Sequence, residues 1–170
     1  MGALLAKENI WYVGTQDPNL RVFDIIMHSD WGTSYNAYLV KGSEKTALFE
    51  TSKLEFFDEF LANVREVCDP ASIDYIVVDH TEPDHTGSMK KLLELAPNAT
   101  VLGSATALNF LKQIVNHDFT CRAVTEKDTV DLGGMTLHFL SVPFLHWPDS
   151  MYTYIPEAKA LFTCDSFGCP

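Results

Sequence analysis

The sequence lacks the glycine-rich motifs that bind nucleotides, and it is poor in positive charge. No Gly-x-Gly-x-x-Gly motif, P-loop or flavin phosphate loop occurs in its 170 residues, so no recognised loop for a nucleotide or a flavin is present. Lysine and arginine number 12 against 23 aspartate and glutamate residues, and the formal net charge is −11. Nucleic acids and anionic membranes attract cationic side chains, so we expect neither as a partner. A chain this acidic is better suited to binding cations.

Long hydrophobic runs and paired cysteines are also missing. No apolar stretch approaches the ~18 residues that a membrane span requires, and the short apolar start ends at Lys7, which argues against a secretory signal. The sequence contains four cysteines, Cys68, Cys121, Cys164 and Cys169. They form no Cys-x-x-Cys pair and are expected to be reduced thiols. These absences predict a soluble cytoplasmic protein.

Hydrophobic periodicity places strands at both ends of the chain and two strand–helix units between them. Two-residue alternation and turn signals predict strands over residues 9–13, 20–23, 37–41, 46–49, 135–142, 151–154 and 161–163. Helical spacing predicts helices over about 54–68, 88–95 and 105–115, with strands at 75–78 and 100–103. Thr51 or Ser52 is the expected cap of the first helix. This order predicts an α+β layered sandwich of one domain, not a doubly wound sheet.

Metal-binding side chains are concentrated in one short segment. His80, Glu82, Asp84 and His85 occupy six residues directly after the apolar run Tyr75–Val78. Neutral imidazoles and ionised carboxylates are the usual protein ligands of zinc and iron, and without a cation they would repel one another or lack partners. A single histidine would more often be an ordinary polar residue. The whole hexapeptide, however, predicts a metal-binding loop.

Two further candidate ligands, His146 and Asp165, follow later predicted strands. Loops at strand ends allow a rigid scaffold to converge side chains on one point. Six ligands are too many for one tetrahedral zinc ion that keeps an open position. They suit a two-metal site with a bridging carboxylate.

Spacing within the loop divides its ligands between two metals. His80 and Glu82 lie two residues apart on an extended segment and are expected to point to the same side. Asp84 and His85, beyond Pro83, would then face a second metal. Glu82 supplies a hard anionic oxygen where an imidazole could have stood, which favours iron or manganese over zinc.

The remaining histidines and one tryptophan are weaker candidates. His28 could approach the metal pocket, and Trp147 could line it, although a lone aromatic side chain more often belongs to the core. His117 and His138 are expected at the surface or in ordinary packing contacts.

The pattern of these ligands resembles the diiron site of the flavodiiron proteins. Other phrases that resemble the family are Thr33-Ser-Tyr-Asn-Ala-Tyr38, Asp84-His-Thr-Gly87, His146-Trp-Pro-Asp-Ser-Met151 and Asp165-Ser-Phe-Gly168. The resemblance covers essentially the whole chain and implies the metallo-β-lactamase-like αββα sandwich of the family's N-terminal domain. Hydrolases of this superfamily usually carry histidine at the position of Glu82, so Glu82 is the most specific mark of the resemblance.

What the resemblance implies is a diiron reductase. It assigns the ligands of two irons: His80, Glu82 and His146 to one, Asp84 and His85 to the other, and Asp165 to both. Such centres reduce dioxygen to water or nitric oxide to nitrous oxide with electrons from FMN. A rubredoxin-like or other donor supplies those electrons. The family forms head-to-tail homodimers in which the FMN of one subunit meets the irons of the other.

The sequence departs from the family pattern in two respects. The family carries a seventh ligand, a histidine beyond the bridging aspartate, and a flavodoxin-like domain that binds FMN, and residues 1–170 contain neither. The chain is therefore expected to be the N-terminal portion of a diiron domain. By itself it is expected to be neither a stable fold nor a competent reductase.

Two alternatives to the reductase remain open. One is a metallo-β-lactamase-like hydrolase of thioesters or phosphodiesters that uses a metal-bound hydroxide. It would contain zinc, whereas the reductase would contain iron. The other is a non-catalytic fragment that needs a complementary polypeptide.

Overall fold

Residues 2–23 and 25–167 are described by the computed structural model. The strands in these ranges are β1 (Leu4–Lys7), β2 (Ile10–Tyr12), β3 (Thr15–Asp17), β4 (Val22–Phe23), β5 (Met27–His28), β6 (Thr33–Tyr35), β7 (Tyr38–Lys41), β8 (Thr46–Phe49), β9 (Tyr75–Val78), β10 (Thr100–Gly103), β11 (Cys121–Ala123), β12 (Thr129–Asp131), β13 (Thr136–Ser141), β14 (Met151–Ile155) and β15 (Ala160–Phe162). The α-helices are α1 (Phe57–Val67), α2 (Pro83–Thr86), α3 (Met89–Leu95) and α4 (Ala105–Val115). Short 3₁₀ turns cover Leu54–Phe56 and Pro70–Ser72.

The larger sheet has seven strands in the order β1-β2-β7-β8-β9-β10-β11. Its first four strands pair antiparallel, whereas β8, β9, β10 and β11 run parallel. Parallel neighbours require crossover connections, and helices α1, α3 and α4 lie in those connections. The carboxyl ends of β8, β9 and β10 therefore meet at one edge, and the chain there continues into Glu50, Asp79 and Ser104.

Alternate residues of the parallel strands face two different cores. Leu48 and Ile76 belong to a cluster with apolar side chains of α1, α3 and α4. Ala47 and Val77 point the other way, into a cluster with the second sheet. The strands are apolar on both faces because both faces are covered. The molecule thus has a helix layer, a seven-stranded sheet and a second sheet.

The second sheet is an antiparallel meander in the order β12-β13-β14-β15. Leu137 and Phe139 point inward to the core shared with the larger sheet. On the outer face Leu140, Tyr154 and Leu161 are exposed. Two short ribbons, β3–β6 and β4–β5, complete the strand pairing of the described residues. No helix in these ranges is long and apolar enough to cross a bilayer.

The predicted helices and longer strands agree with the structure, whereas several short strands and one helix cap differ. The strand expected over 20–23 is reduced to Val22–Phe23, and β1, β3, β5, β6, β11 and β12 were not predicted because they are short and mixed in character. The expected cap of the first helix was wrong. Thr51 donates its hydroxyl proton to the carbonyl of His85, and the hydroxyl of Ser52 lies 3.2 Å from that of Ser88. Both side chains instead hold the strand end against the loop that follows β9.

Candidate metal centre

The loop after β9 forms one turn of helix that the hydrophobic pattern did not predict. Glu82 precedes helix α2, and Pro83 occupies its first position, where the missing N–H costs nothing. The carbonyl of Glu82 accepts the backbone N–H groups of His85 and Thr86. Thr86 also donates its hydroxyl proton to the carbonyl of Thr81. The turn brings Asp84 and His85 to the same end of the larger sheet as His80.

Four of the six candidate ligands form one group. Their ligand atoms lie within 4.8 Å of one another, and the residues are His80, Glu82, His146 and Asp165. Oε2 of Glu82 lies 3.1 Å from Nε2 of His80 and 3.3 Å from Nε2 of His146. Oδ2 of Asp165 lies 3.8 Å from Nε2 of His80. His80 and Glu82 therefore point to the same side.

A second group contains Asp84, His85 and Asp165. Nε2 of His85 lies 2.8 Å from Oδ1 of Asp165 and 3.7 Å from Oδ2 of Asp84. Asp165 thus directs one carboxylate oxygen toward each group. Oδ1 of Asp84 is buried without a hydrogen-bond partner among the described residues.

The imidazoles and carboxylates of the two ligand groups shift one another's pKa values. Burial alone would lower the pKa of His80, but its contacts with Asp149 and Glu82 outweigh burial and raise the pKa to about 9. The hydrogen bond to Asp165 likewise raises the pKa of His85 against burial. The contact with His80 lowers the pKa of Glu82. Imidazole protons thus neutralise the clustered carboxylates.

Divalent cations would neutralise the same charge without those protons. Three carboxylates and three imidazoles offer oxygen and nitrogen donors in two overlapping groups, a set that suits iron or another hard to borderline metal. Burial raises the pKa of Asp84 although the nearby His85 acts in the opposite direction, so His85 does not fully offset the cost of burying this carboxylate. The residues present therefore fit two metal ions that share Asp165.

Asp149 lies behind His80 and was missed from the sequence as a functional residue. This fully buried carboxylate accepts the backbone N–H of Thr81 at 2.8 Å and its hydroxyl at 2.7 Å, and it lies 3.4 Å from Nδ1 of His80. A carboxylate on Nδ1 fixes the tautomer that leaves Nε2 free for a metal. The available signal was its place in the phrase His146-Trp-Pro-Asp-Ser-Met151.

Of the two weaker candidates, Trp147 lies beside the ligand groups and His28 does not. The ring of Trp147 packs edge-on against that of His80, with ring centres 5.1 Å apart, and so it lines the cluster. His28 lies exposed on β5 opposite Val22 and belongs to neither ligand group of the described residues. His117 is exposed, as expected, and its Nδ1 lies 2.8 Å from the carbonyl of Asp118. His138 packs on β13 and is partly buried.

The cysteines are free thiols where the structure describes them. Cys68, Cys121 and Cys164 are unpaired and partly buried, and Cys169 lies outside the described residues. Burial and the nearby Glu50 carboxyl raise the pKa of Cys164.

Strained backbone is concentrated beside two of the candidate ligands. Positive φ angles occur at Phe144 (67°), His146 (146°), Cys164 (43°) and Phe167 (67°). Such conformations cost roughly 1–3 kcal/mol each for residues other than glycine, and they persist where the surroundings enforce them. The loops that present His146 and Asp165 are therefore held in shape by the rest of the fold.

A small cavity opens beside Glu82 and Asp84. It is lined by Tyr35, Lys53 and Pro83, and by the side chains of the β4 strand region. Its volume of about 190 Å³ is below the size typical of sites for drug-sized ligands. Glu82 and Asp84 are the candidate ligands that line this cavity.

Comparison with known proteins gives consistent matches. The model of a family described as "ODP family beta lactamase" matches residues 33–169. A flavo-diiron protein of Clostridium acetobutylicum is 50% identical over 171 residues, which are 99% of this chain and 42% of that protein. A nitric oxide reductase of Moorella thermoacetica is 42% identical over 163 residues, covering 95% of this chain and 41% of that protein.

Solved structures extend the similarity to three dimensions. The flavodiiron protein from Giardia intestinalis superposes with a TM-score of 0.94 at 34% identity, covering 99% of this chain and 41% of that one. The rubredoxin oxygen:oxidoreductase of Desulfovibrio gigas gives a TM-score of 0.89 at 36% identity, over 94% and 40%. The expected metallo-β-lactamase-like fold is confirmed. The chain spans about two fifths of the length of these relatives.

Proposed function

Since the chain belongs to the flavodiiron protein family, we propose that it serves as the metal-binding part of a reductase of dioxygen, nitric oxide or both. The products would be water and nitrous oxide. The observation that carries the proposal is the position of Asp165, whose two oxygens lie 2.8 Å from Nε2 of His85 and 3.8 Å from Nε2 of His80. One carboxylate between two ligand groups suits a pair of metal ions.

In this proposal His80, Glu82 and His146 hold one iron, Asp84 and His85 hold the other, and Asp165 is shared. When bound, the two irons would supply electrons and open coordination positions for the gas. The chain's own residues position these ligands and limit access to them. Asp149 orients His80, and Trp147 covers one side of the cluster. The cavity beside Glu82 has room for a small reactant.

We place the FMN outside residues 1–170, in a flavodoxin-like domain. Two observations support this: these residues contain no flavin phosphate loop, and they span about two fifths of the matched relatives. Residues 1–170 would correspond to the N-terminal portion of the diiron domain. A cytoplasmic location belongs to the same proposal and is supported by the free thiols of Cys68, Cys121 and Cys164.

An apolar rim beside the ligands supports docking of a flavin-bearing partner. Phe144, Leu145 and Phe167 are exposed, and they flank His146 and Asp165 in sequence. The hydroxyl of Ser166 donates to the carbonyl of Leu145, which joins the two loops. Exposed apolar side chains grouped in this way mark interaction sites. We propose a head-to-tail homodimer in which the partner's FMN faces this rim and is reduced by a rubredoxin-like or other donor.

The test is metal analysis and gas consumption by the protein joined to the proposed flavodoxin-like domain, since residues 1–170 alone are not expected to be a competent reductase. We expect two irons per diiron domain and, with reduced FMN, consumption of dioxygen or nitric oxide faster than that by reduced FMN alone. The variant Glu82→His should shift metal selection from iron towards zinc, because imidazole is a softer ligand than carboxylate. Two zinc ions with turnover of thioesters or phosphodiesters would identify a hydrolase instead. Absence of bound metal would contradict both enzymatic functions and favour a non-catalytic chain.

A further inference from the structure

Glu50 is a buried acidic residue behind the candidate metal centre. It follows β8 directly, has a φ of 58° and is 4% exposed. One carboxyl oxygen, Oε1, accepts the backbone N–H of Asp79 at 2.7 Å. The other, Oε2, is buried without a hydrogen-bond partner among the described residues.

The unpaired oxygen of Glu50 faces an unpaired nitrogen of His85. Nδ1 of His85 is buried and also lacks a partner in the described part of the chain. It lies 3.8 Å from Oε2 of Glu50. Leaving two such atoms unpaired in the interior is costly. An approach of roughly 0.6–1 Å would bring them to hydrogen-bond distance.

The position of Glu50 relative to His85 parallels that of Asp149 relative to His80. In both cases a buried carboxyl group lies on the Nδ1 side of a buried imidazole, while Nε2 faces the ligand group. Proteins commonly hold metal-binding histidines in this way, with the outer nitrogen donating to an oxygen. His146 has no such contact within the described ranges, and its side chain is 43% exposed.

We propose that Glu50 is a positioning residue of the metal centre, which accepts the Nδ1 proton of His85 and so keeps Nε2 directed at the second metal. This inference rests on the proposed metal-binding function. Glu50 also holds the N–H of Asp79, the residue before His80. A single carboxylate therefore supports both ligand groups, through the ring of His85 and through the backbone that leads into His80.

The arrangement requires two acceptor oxygens, which makes Glu50→Gln an informative variant. In this scheme each carboxyl oxygen of Glu50 meets a donor, the backbone N–H of Asp79 on one side and the Nδ1–H of His85 on the other. The backbone N–H of His80 also lies close to this carboxyl group, and the Asp79 carboxyl is a neighbouring acid. Glutamine has nearly the same shape but only one acceptor oxygen, so its amide NH₂ would oppose one of the two donors. The variant therefore removes one contact while changing the packed volume little.

The experiment measures metal binding and imidazole protonation in the protein as isolated and after reconstitution with Co²⁺. We expect Glu50→Gln to lower the affinity for the second metal by about 10- to 100-fold. This is the usual effect of removing a residue that hydrogen-bonds a metal ligand from behind. In the cobalt form, each Nδ1–H of a bound imidazole gives a proton NMR signal that disappears in D₂O. One of these signals should shift or vanish in the variant.

The matched control is Asp74→Asn, at the opposite end of β9 from the ligands, which removes a carboxylate but preserves an acceptor for the backbone N–H of Thr46. It should bind both metals as the unchanged protein does. Unaltered metal affinity and unaltered exchangeable signals in Glu50→Gln would overturn the inference. If Glu50→Gln does not fold, the proton NMR spectrum of the unchanged cobalt protein still tests the inference. Coordination of His85 through Nδ1, or no exchangeable proton on its ring, would also overturn it. An unchanged protein that binds no metal would refute the proposed function as well.

Discussion

Asp165 occupies a special position among the candidate ligands because it belongs to both groups of the described residues. Asp84 belongs to one. We therefore expect Asp165→Asn to weaken binding of both metals and Asp84→Asn to weaken only one. Each loss should be at least the roughly 10- to 100-fold caused by removing an outer partner.

The measurement is the number of metal ions retained per chain after anaerobic loading with ferrous iron and gel filtration. Asp128→Asn is a suitable control, because the carboxylate of this exposed acid accepts hydrogen bonds from Thr125 and belongs to neither ligand group of the described residues. Retention of two metals by Asp165→Asn would show that the two groups do not share a ligand.

The protonation of His80 predicts how the metal-free protein responds to pH. Its pKa in the folded protein is about 9, compared with the ordinary value of 6.5. A histidine with a raised folded-state pKa stabilises the fold fully below its unfolded value. That contribution is lost as pH rises through the folded value. We therefore expect the metal-free protein to lose stability between pH 6.5 and about 9.

Thermal unfolding after treatment with a chelator tests this expectation. His80→Gln should flatten the pH dependence over the same window, which separates His80 from the general effect of a net charge of −11. Because metal must displace the proton, apparent metal affinity should rise across the window. An identical pH profile in the variant would assign the effect to other groups.

For single residues, the sequence was sufficient to predict the clustered metal-binding side chains. It was not sufficient to predict the isolated acid Glu50 that lies behind them. His80, Glu82, Asp84 and His85 stood out because four metal-binding side chains share six residues. Glu50 gave a weaker signal of the same kind, a charge directly after a buried strand, and it was overlooked because single acids are common at the surface. The outer contact to His85 depends on tertiary distance, which sequence spacing does not contain.

Among the elements, two tight turns join the sheets. The hairpin turn between β7 and β8 docks on the turn between β12 and β13, where the backbone N–H groups of Glu44 and Lys45 both donate to the carbonyl of Leu132. A Cβ atom on Gly42 would overlap this carbonyl. We expect Gly42→Ala to destabilise the fold by about 1–3 kcal/mol, as overpacking of a tight contact does.

Denaturant unfolding measures this loss. Ser43→Ala is the matched control, because Ser43 contributes its backbone N–H to Gly133 and its side chain is exposed. That change should stay within about 0.5 kcal/mol. Equal stability of Gly42→Ala and the parent protein would mean that the turns separate easily.

Helix and strand prediction worked where one face is regularly apolar. The predicted helix over 105–115 and the strands over 75–78 and 100–103 have the observed bounds. Helix α2 was missed because four residues are too few for a periodic pattern. Its signal was local: a proline at the first position after Glu82. The predicted cap at Thr51 or Ser52 failed because tertiary hydrogen bonds to His85 and Ser88 took both side chains.

For the whole molecule, the candidate site depends on how the two sheets face each other. His80 to His85 follow a strand of the larger sheet, whereas His146 and Asp165 lie in loops next to β14 and β15 of the smaller one. Strand order and sheet pairing do not follow from hydrophobic spacing, because many orders satisfy the same pattern. The layered class followed from the residues, but the particular sandwich followed from the resemblance to a known family.

This arrangement predicts that metal ions join the two sheets mechanically. Ligands from both sheets would meet at the ions, so metal that binds only the folded chain stabilises it. At a thousand times its Kd, one such site adds about 4 kcal/mol. For a chain of this size, that corresponds to roughly 8–16 °C in Tm.

Chelation should therefore lower Tm by about this amount and speed hydrogen exchange in residues 142–150 and 163–167. Helix α4, with no candidate ligand, should keep its exchange rates. Uniform acceleration across α4 and these loops would instead indicate that metal supports the entire fold, and an unchanged Tm would rule out a structural link between the sheets through metal.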